Sequence, residues 1–209
     1  VKGIWASADS PMRWIKPELD PSSIAWEGLV PPPAIAELPP KYLPEQLARH
    51  TNVLTDAVMQ GRGLGSDGLA RAGHYIAEQF RGAGLQPVGG TYMQPWRQDV
   101  PGFGQVTMAN VMGIIPGSDA KLSSEPVVLG AHYDHLGING ETGEFFPGAD
   151  DNASGISVLI EVARKLARAF TPQRPVLFVA FTGEESGLLG SNYFVNSSPG
   201  GFPLSSAFA

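Results

Sequence analysis

Two short runs of unbroken apolar character lie in the second half of the chain. They are Val127-Val128-Leu129-Gly130-Ala131 after Pro126, and Val176-Leu177-Phe178-Val179-Ala180-Phe181 after Pro175. Runs this short, without polar alternation, read as strands buried on both faces of a sheet. Between them Ile156, Leu159, Ile160, Ala163, Leu166, Ala167 and Phe170 recur at helical spacing, and Thr171-Pro172 stops the stripe. A further helix is expected from about Glu185, carrying Leu188, Leu189, Tyr193 and Phe194. Upstream, Pro44 can open a helix as its first residue, with Leu47, Thr51, Leu54 and Val58 on one face as far as Gly61. Ser66-Asp67 caps a second helix, whose apolar positions Leu69, Ala72, Gly73, Ile76 and Phe80 lead to a stop at Gly82 or Gly84. Val106 to Ile115 is rich in strand formers and ends at the turn pair Pro116-Gly117.

Strand, helix, strand, helix predicts a βαβ unit with parallel strands in an α/β fold. Residues 1–43 have a different texture: Pro31-Pro32-Pro33, Pro39-Pro40 and three tryptophans, Trp5, Trp14 and Trp26. Proline fixes φ and lacks an amide donor, so this stretch is expected to be an extended arm or linker. Residues 44–209 are expected to be the N-terminal part of the domain proper.

The chain has 209 residues, no cysteine and a net charge of −6. Phosphate backbones demand clustered Lys and Arg, so the acidic balance argues against nucleic acid. No apolar run approaches the roughly 18 residues of a membrane span. Without thiols, any metal must be held by His, Asp and Glu.

Three polar clusters fall just beyond the predicted strand ends or at a helix start. They are His132-Tyr133-Asp134-His135, Asp150-Asp151-Asn152 within a Gly-rich loop, and Gly183-Glu184-Glu185. Alone, each has an ordinary explanation: a surface pair, a helix cap supplied by Asp151 or Asn152, a solvated loop. Ligands of α/β sheets bind beyond the carboxyl ends of the strands, and the βαβ unit brings all three clusters to one such edge. Five carboxylates and two imidazoles would share a small volume. Like charges at that density cost several kcal/mol unless compensated, and no Lys or Arg lies inside the clusters. A divalent cation is the natural compensation, and His with carboxylates suits catalytic zinc.

At these residues the sequence resembles the co-catalytic two-zinc exopeptidases of the aminopeptidase Y and bacterial leucyl aminopeptidase type, relatives of glutamate carboxypeptidase. The resemblance runs from about Leu47 onward. It is carried by Gly61-Arg62-Gly63, Gly84-Leu85-Gln86-Pro87, Ala109-Asn110-Val111 and, above all, by Gly130-Ala131-His132-Tyr133-Asp134, Pro147 to Gly155 and Phe181-Thr182-Gly183-Glu184-Glu185. It implies a three-layer α/β/α fold around a central mixed, largely parallel sheet. It also implies two Zn²⁺ per complete site: His132 as ligand of one zinc, Asp150 as the bridging carboxylate and Glu185 as ligand of the second. Glu184 becomes the general base for a metal-bridging water, and Asp134 the group that orients the His132 ring. His135 belongs to the motif without an assigned role.

The implied activity is hydrolysis of N-terminal peptide bonds, with peptide or protein N-termini as substrates. Carboxypeptidase or glutaminyl cyclase chemistry on the same scaffold, and a non-catalytic peptidase-like interaction domain, are the alternatives. The family supplies a further Asp and a further His from later strands, which this chain does not contain, and His50 and His74 lie on predicted helices as poor substitutes. Weak zinc binding and inactivity of this chain alone are therefore expected. Export of such proteins is common, which points to the periplasm or exterior.

Overall fold

The computed structural model describes residues 42–169 and 171–197, so the Pro- and Trp-rich arm, apart from its last two residues, lies outside the described residues, as does Phe170. Helix α1 (Pro44–Leu54) begins with proline in place of a capping side chain. It stops earlier than the periodicity predicts, because Ala57–Arg62 forms a separate 3₁₀ turn broken by left-handed Gln60 and Gly61; Val58 is exposed. Helix α2 (Asp67–Ala83) is capped by the Ser66 hydroxyl, which accepts from Leu69 N at 3.0 Å. Gly84 ends it in the left-handed conformation, the usual helix stop.

The sheet runs β1 (Gln86–Pro87), β3 (Gly104–Ile115), β5 (Val176–Phe181), β4 (Val127–His132), with β2 (Met93–Val100) pairing β3 as a hairpin. It is mixed: β4 and β5 are parallel, in register from Val127↔Val176 to His132↔Phe181, and the other pairings among the described strands are antiparallel. Helix α3 (Ser154–Ala169) makes the crossover between β4 and β5, and α4 (Leu189–Ser197) follows β5.

Side chains alternate between two buried faces along β5. Phe178 and Ala180 pack towards α2 and α3, with the Phe80 and Phe178 rings 6.3 Å apart. Leu177 and Val179 join Met112 and Phe194 of α4 on the opposite face. This is the three-layer arrangement, and β5 is buried on both faces as expected. Each large side chain so buried contributes about 1.5–3 kcal/mol.

Two further expectations need correction, and one strand is new. β4 is an edge of the described sheet, and Val127 at its start is 47% exposed, so its all-apolar run does not signal burial on both faces here. Helix α4 starts at Leu189, not near Glu185, because Leu188 has φ 60 and cannot continue a right-handed helix. Finally, β2 is an additional strand. Its Trp96 and Val100 are buried while Pro95, Arg97 and Asp99 face solvent, and Trp96 stacks on Tyr193 at 4.3 Å.

Candidate metal site at the carboxyl end of the sheet

The parallel pair β4–β5 sets the site. Tyr133 N donates to Phe181 O at 2.8 Å, carrying the pairing one step beyond the strands. The buried Tyr133 hydroxyl donates to Ala109 O at 2.7 Å, and burial pushes its pKa well up, so it stays neutral. That anchored peptide holds His132 before it and Asp134 after it.

After β5, Thr182 to Glu185 form a turn fastened by Asn110, which is fully buried in β3. Asn110 Nδ2 donates to Gly190 O at 2.9 Å and to Gln94 Oε1 at 2.9 Å, and its Oδ1 accepts from Thr182 N at 3.2 Å. Gly190 permits this approach: a Cβ there would lie 2.2 Å from Thr182 O and 2.5 Å from Asn110 Oδ1. Glu185 N in turn donates to Asp134 Oδ2 at 3.2 Å, tying the two strand ends together.

The acidic groups converge from there. His132 Nε2 lies 3.0 Å from Asp151 Oδ1 and 3.9 Å from Glu184 Oε2. His135 Nδ1 lies 2.8 Å from Glu185 Oε1. One ligand atom from each of His135, Asp151 and Glu185 falls within 4.8 Å of the others. On its other side, His132 Nδ1 faces Asp134 Oδ1 at 3.6 Å, too long for a hydrogen bond. Both atoms are buried without another partner among the described residues. The His132 pKa is raised, first by the adjacent Asp134, with burial opposing and Glu184 and Asp151 adding. A metal must therefore displace a proton held more firmly than usual.

The structure brings together His132, Asp134, Glu184 and Glu185 of the expected set, and adds His135. It does not bring in Asp150. That carboxylate makes no hydrogen bond or ion pair with a described residue; only its main-chain oxygen is used, by Ser154 Oγ at 2.8 Å. Its neighbour Asp151 occupies the place beside His132. Asp151 departs from the helical turn around it, with φ −115° and ψ 95°, and its carboxylate is the one that reaches His132. His50 and His74 are remote from the site: His50 is buried against Tyr75 and Glu161, at 2.6 and 2.9 Å, and His74 lies exposed on α2.

The donors fit zinc. They are imidazole and carboxylate without thiolate, Nε2 of His132 is aimed at the acidic groups, and its Nδ1 is aimed at a buried carboxylate. That is the outer-sphere pairing that fixes the tautomer of a metal-binding histidine.

Arg62, Asn110 and His135 have no role assigned from the sequence. Arg62 is fully buried beneath the site. Burial lowers its pKa, with Asp134 and Asp151 opposing, and it remains charged at any physiological pH. Its only sequence signal is an arginine between glycines.

Residues 110–207 match the model of peptidase family M28. The chain is 33% identical over 153 residues to the uncharacterized protein YfbL of Escherichia coli, covering 73% of this chain and 43% of YfbL. It is 38% identical over 94 residues to aminopeptidase YwaD of Bacillus subtilis, covering 45% of this chain and 19% of YwaD. Among solved structures, the fold is similar to a Zn-dependent exopeptidase from Parabacteroides distasonis, with TM-score 0.59, 19% identity, and coverage of 75% of this chain and 56% of that one. It is also similar to glutaminyl cyclase from Fimbriiglobus ruber, with TM-score 0.61, 21% identity, and coverage of 77% and 57%. The chain spans less than half the length of these two curated relatives. Residues 110–207, which carry the acidic edge, are thus similar to peptidase family M28.

Proposed function

We propose that this chain contributes the metal-binding edge of a zinc-dependent peptidase that removes residues from peptide N-termini. The observation that carries the reading is the convergence of His132, Asp151, Glu184 and Glu185 at the carboxyl end of one parallel strand pair. Supporting it are the family match and the aminopeptidase name of one relative.

His132, Asp151 and Glu185 are assigned to metal, with Asp134 orienting His132. The bridging role expected of Asp150 passes to Asp151. Asp151 lies within reach of both His132 and the His135–Glu185 pair, a position from which one carboxylate can serve two ions. Zinc bound there would lower the pKa of water towards neutrality and supply positive charge for the developing oxyanion. Glu184, part-exposed and 3.9 Å from His132, takes the proton from the attacking water. As the water oxygen bonds to the carbonyl carbon and the C–N bond breaks, Glu184 returns that proton to the leaving amine. Such proton transfer is worth about 10²–10⁴ in rate.

The test uses the whole protein, stripped with a chelator and reloaded with zinc. Substrates are peptides with free, acetylated or glutaminyl N-termini. Zinc-dependent release of the first residue from free N-termini only is expected. Release of ammonia from glutaminyl peptides without hydrolysis would instead establish a cyclase, and cleavage at blocked termini would reject the aminopeptidase reading.

A further inference from the structure

Arg62 plays no part in the chemistry above, yet it heads the fully buried side chains of the described residues by volume. A guanidinium withdrawn from water is unfavourable unless its donors are matched. No carboxylate among the described residues touches it. Its partners are four main-chain carbonyls. Nε donates to Tyr133 O at 2.8 Å, Nη1 to Leu54 O at 2.6 Å and Pro147 O at 2.9 Å, and Nη2 to Gly148 O at 2.8 Å.

These carbonyls belong to three separate stretches of chain. One is the end of α1. The second is Tyr133, between His132 and Asp134. The third is the turn that leads within three residues from Gly148 to Asp151. The main chain repeats the link, because Arg62 O accepts from His135 N at 3.1 Å and Gly61 O from Gly137 N at 3.1 Å. Arg62 itself has φ 52°, an uncommon conformation for a residue with a side chain, held only where the surroundings over-determine it. Gly148 lies flush against the guanidinium: a Cβ there would be 2.6 Å from Arg62 Nη2.

We propose that Arg62 is a positioning residue for the metal site, its guanidinium fixing the turn that carries Asp151 against the strand end that carries His132. This rests on the assignment of those two residues to metal. A lysine cannot replace it, since one ammonium nitrogen cannot span the three stretches that the planar fork reaches.

The test is an equilibrium Co²⁺ titration of the whole protein, read by visible absorption, which reports both affinity and coordination geometry. Wild type is compared with Arg62→Lys and with Ile160→Val, a buried-core change remote from these bonds, well below the unfolding temperature of each. Arg62→Lys should lose about 10–100-fold in Co²⁺ affinity, the range for removing an outer-sphere support, and should shift the absorption bands. Ile160→Val should match wild type. Should Arg62→Lys not fold, Arg62→Gln, whose shorter amide cannot span the three stretches, should show the same loss. A folded Arg62→Lys, or Arg62→Gln in its stead, that binds Co²⁺ with wild-type affinity and spectrum overturns the proposal. Failure of the wild type itself to bind Co²⁺ overturns the metal assignment beneath it.

Discussion

Asn110→Ala offers a direct measure of what holds the Glu184–Glu185 turn in place. The side chain is fully buried and makes three hydrogen bonds. Truncation leaves Gln94 with a route to other partners near the surface. Gly190 O keeps its place in the α4 hydrogen-bond ladder, but Thr182 N is left buried and unmatched. An orphaned buried group costs about 1–3 kcal/mol, so the substitution should destabilise by that amount. For a domain of this size a kcal/mol lowers Tm by about 2–4 °C, which gives a fall of roughly 2–12 °C. Urea unfolding, with thermal unfolding alongside, measures it, and an unchanged m-value would show that the native state alone is affected. A loss below about 1 kcal/mol would mean that Asn110 is not the fastening between β3 and the turn, and the account of how Glu184 and Glu185 are positioned would fail.

Other consequences are open to measurement. Asp151→Asn should reduce zinc affinity by more than the roughly 10–100-fold that loss of an outer-sphere partner costs, while Asp150→Asn leaves it near wild type; the reverse order in a calorimetric titration would restore the bridging role to Asp150. Glu184→Gln should lower kcat by about 10²–10⁴-fold with zinc affinity little changed, and equal losses of both would make Glu184 a ligand instead of a base. Burial lowers the pKa of His50 from 6.5, outweighing the bond to Glu161, with Arg164 and Arg49 adding and Tyr75 on its other nitrogen. A depressed histidine pKa leaves stability intact above the unfolded value and erodes it as pH falls below about 6.5 towards the folded value. Unfolding free energies at pH 7.5 and pH 5 should therefore diverge more for wild type than for His50→Gln; parallel behaviour of the two would show that His50 does not titrate in this way.

Much of the fold was legible because local and global signals agreed. Ser66 is a cap, Gly84 a stop, and the stripe between them is the buried face of α2. Val176–Phe181 is apolar throughout because both faces of β5 are covered. The same reasoning misled at β4, where an identical pattern sits at an edge of the described sheet: composition records what a strand is suited to pack against, not which strands lie beside it. β2 was hidden by Pro95, yet proline is tolerated on a strand with a single partner. The conformation of Leu188 and the break after Leu54 depend on tertiary contacts that no window of sequence contains.

The site divides in the same way. His132, Glu184 and Glu185 were readable because strand ends in a βαβ unit must meet. The choice between Asp150 and Asp151 was not, since it depends on the backbone of an irregular turn in which Asp151 and Asn152 leave helical geometry. Arg62 was hidden for a different reason. An arginine in a short Gly-flanked stretch reads as surface, and only the folded chain reveals four carbonyls, drawn from residues as far apart as Leu54 and Gly148, converging on it.

The central claim is that cations are held among His132, Asp151 and Glu185. Crystals of the whole protein grown with zinc, measured on both sides of the zinc absorption edge, test it most directly. Anomalous density bonded to His132 Nε2 and an Asp151 carboxylate oxygen is predicted, at about 2.0–2.2 Å. Zinc found only elsewhere, or bound through Asp150 with Asp151 turned to solvent, would contradict it.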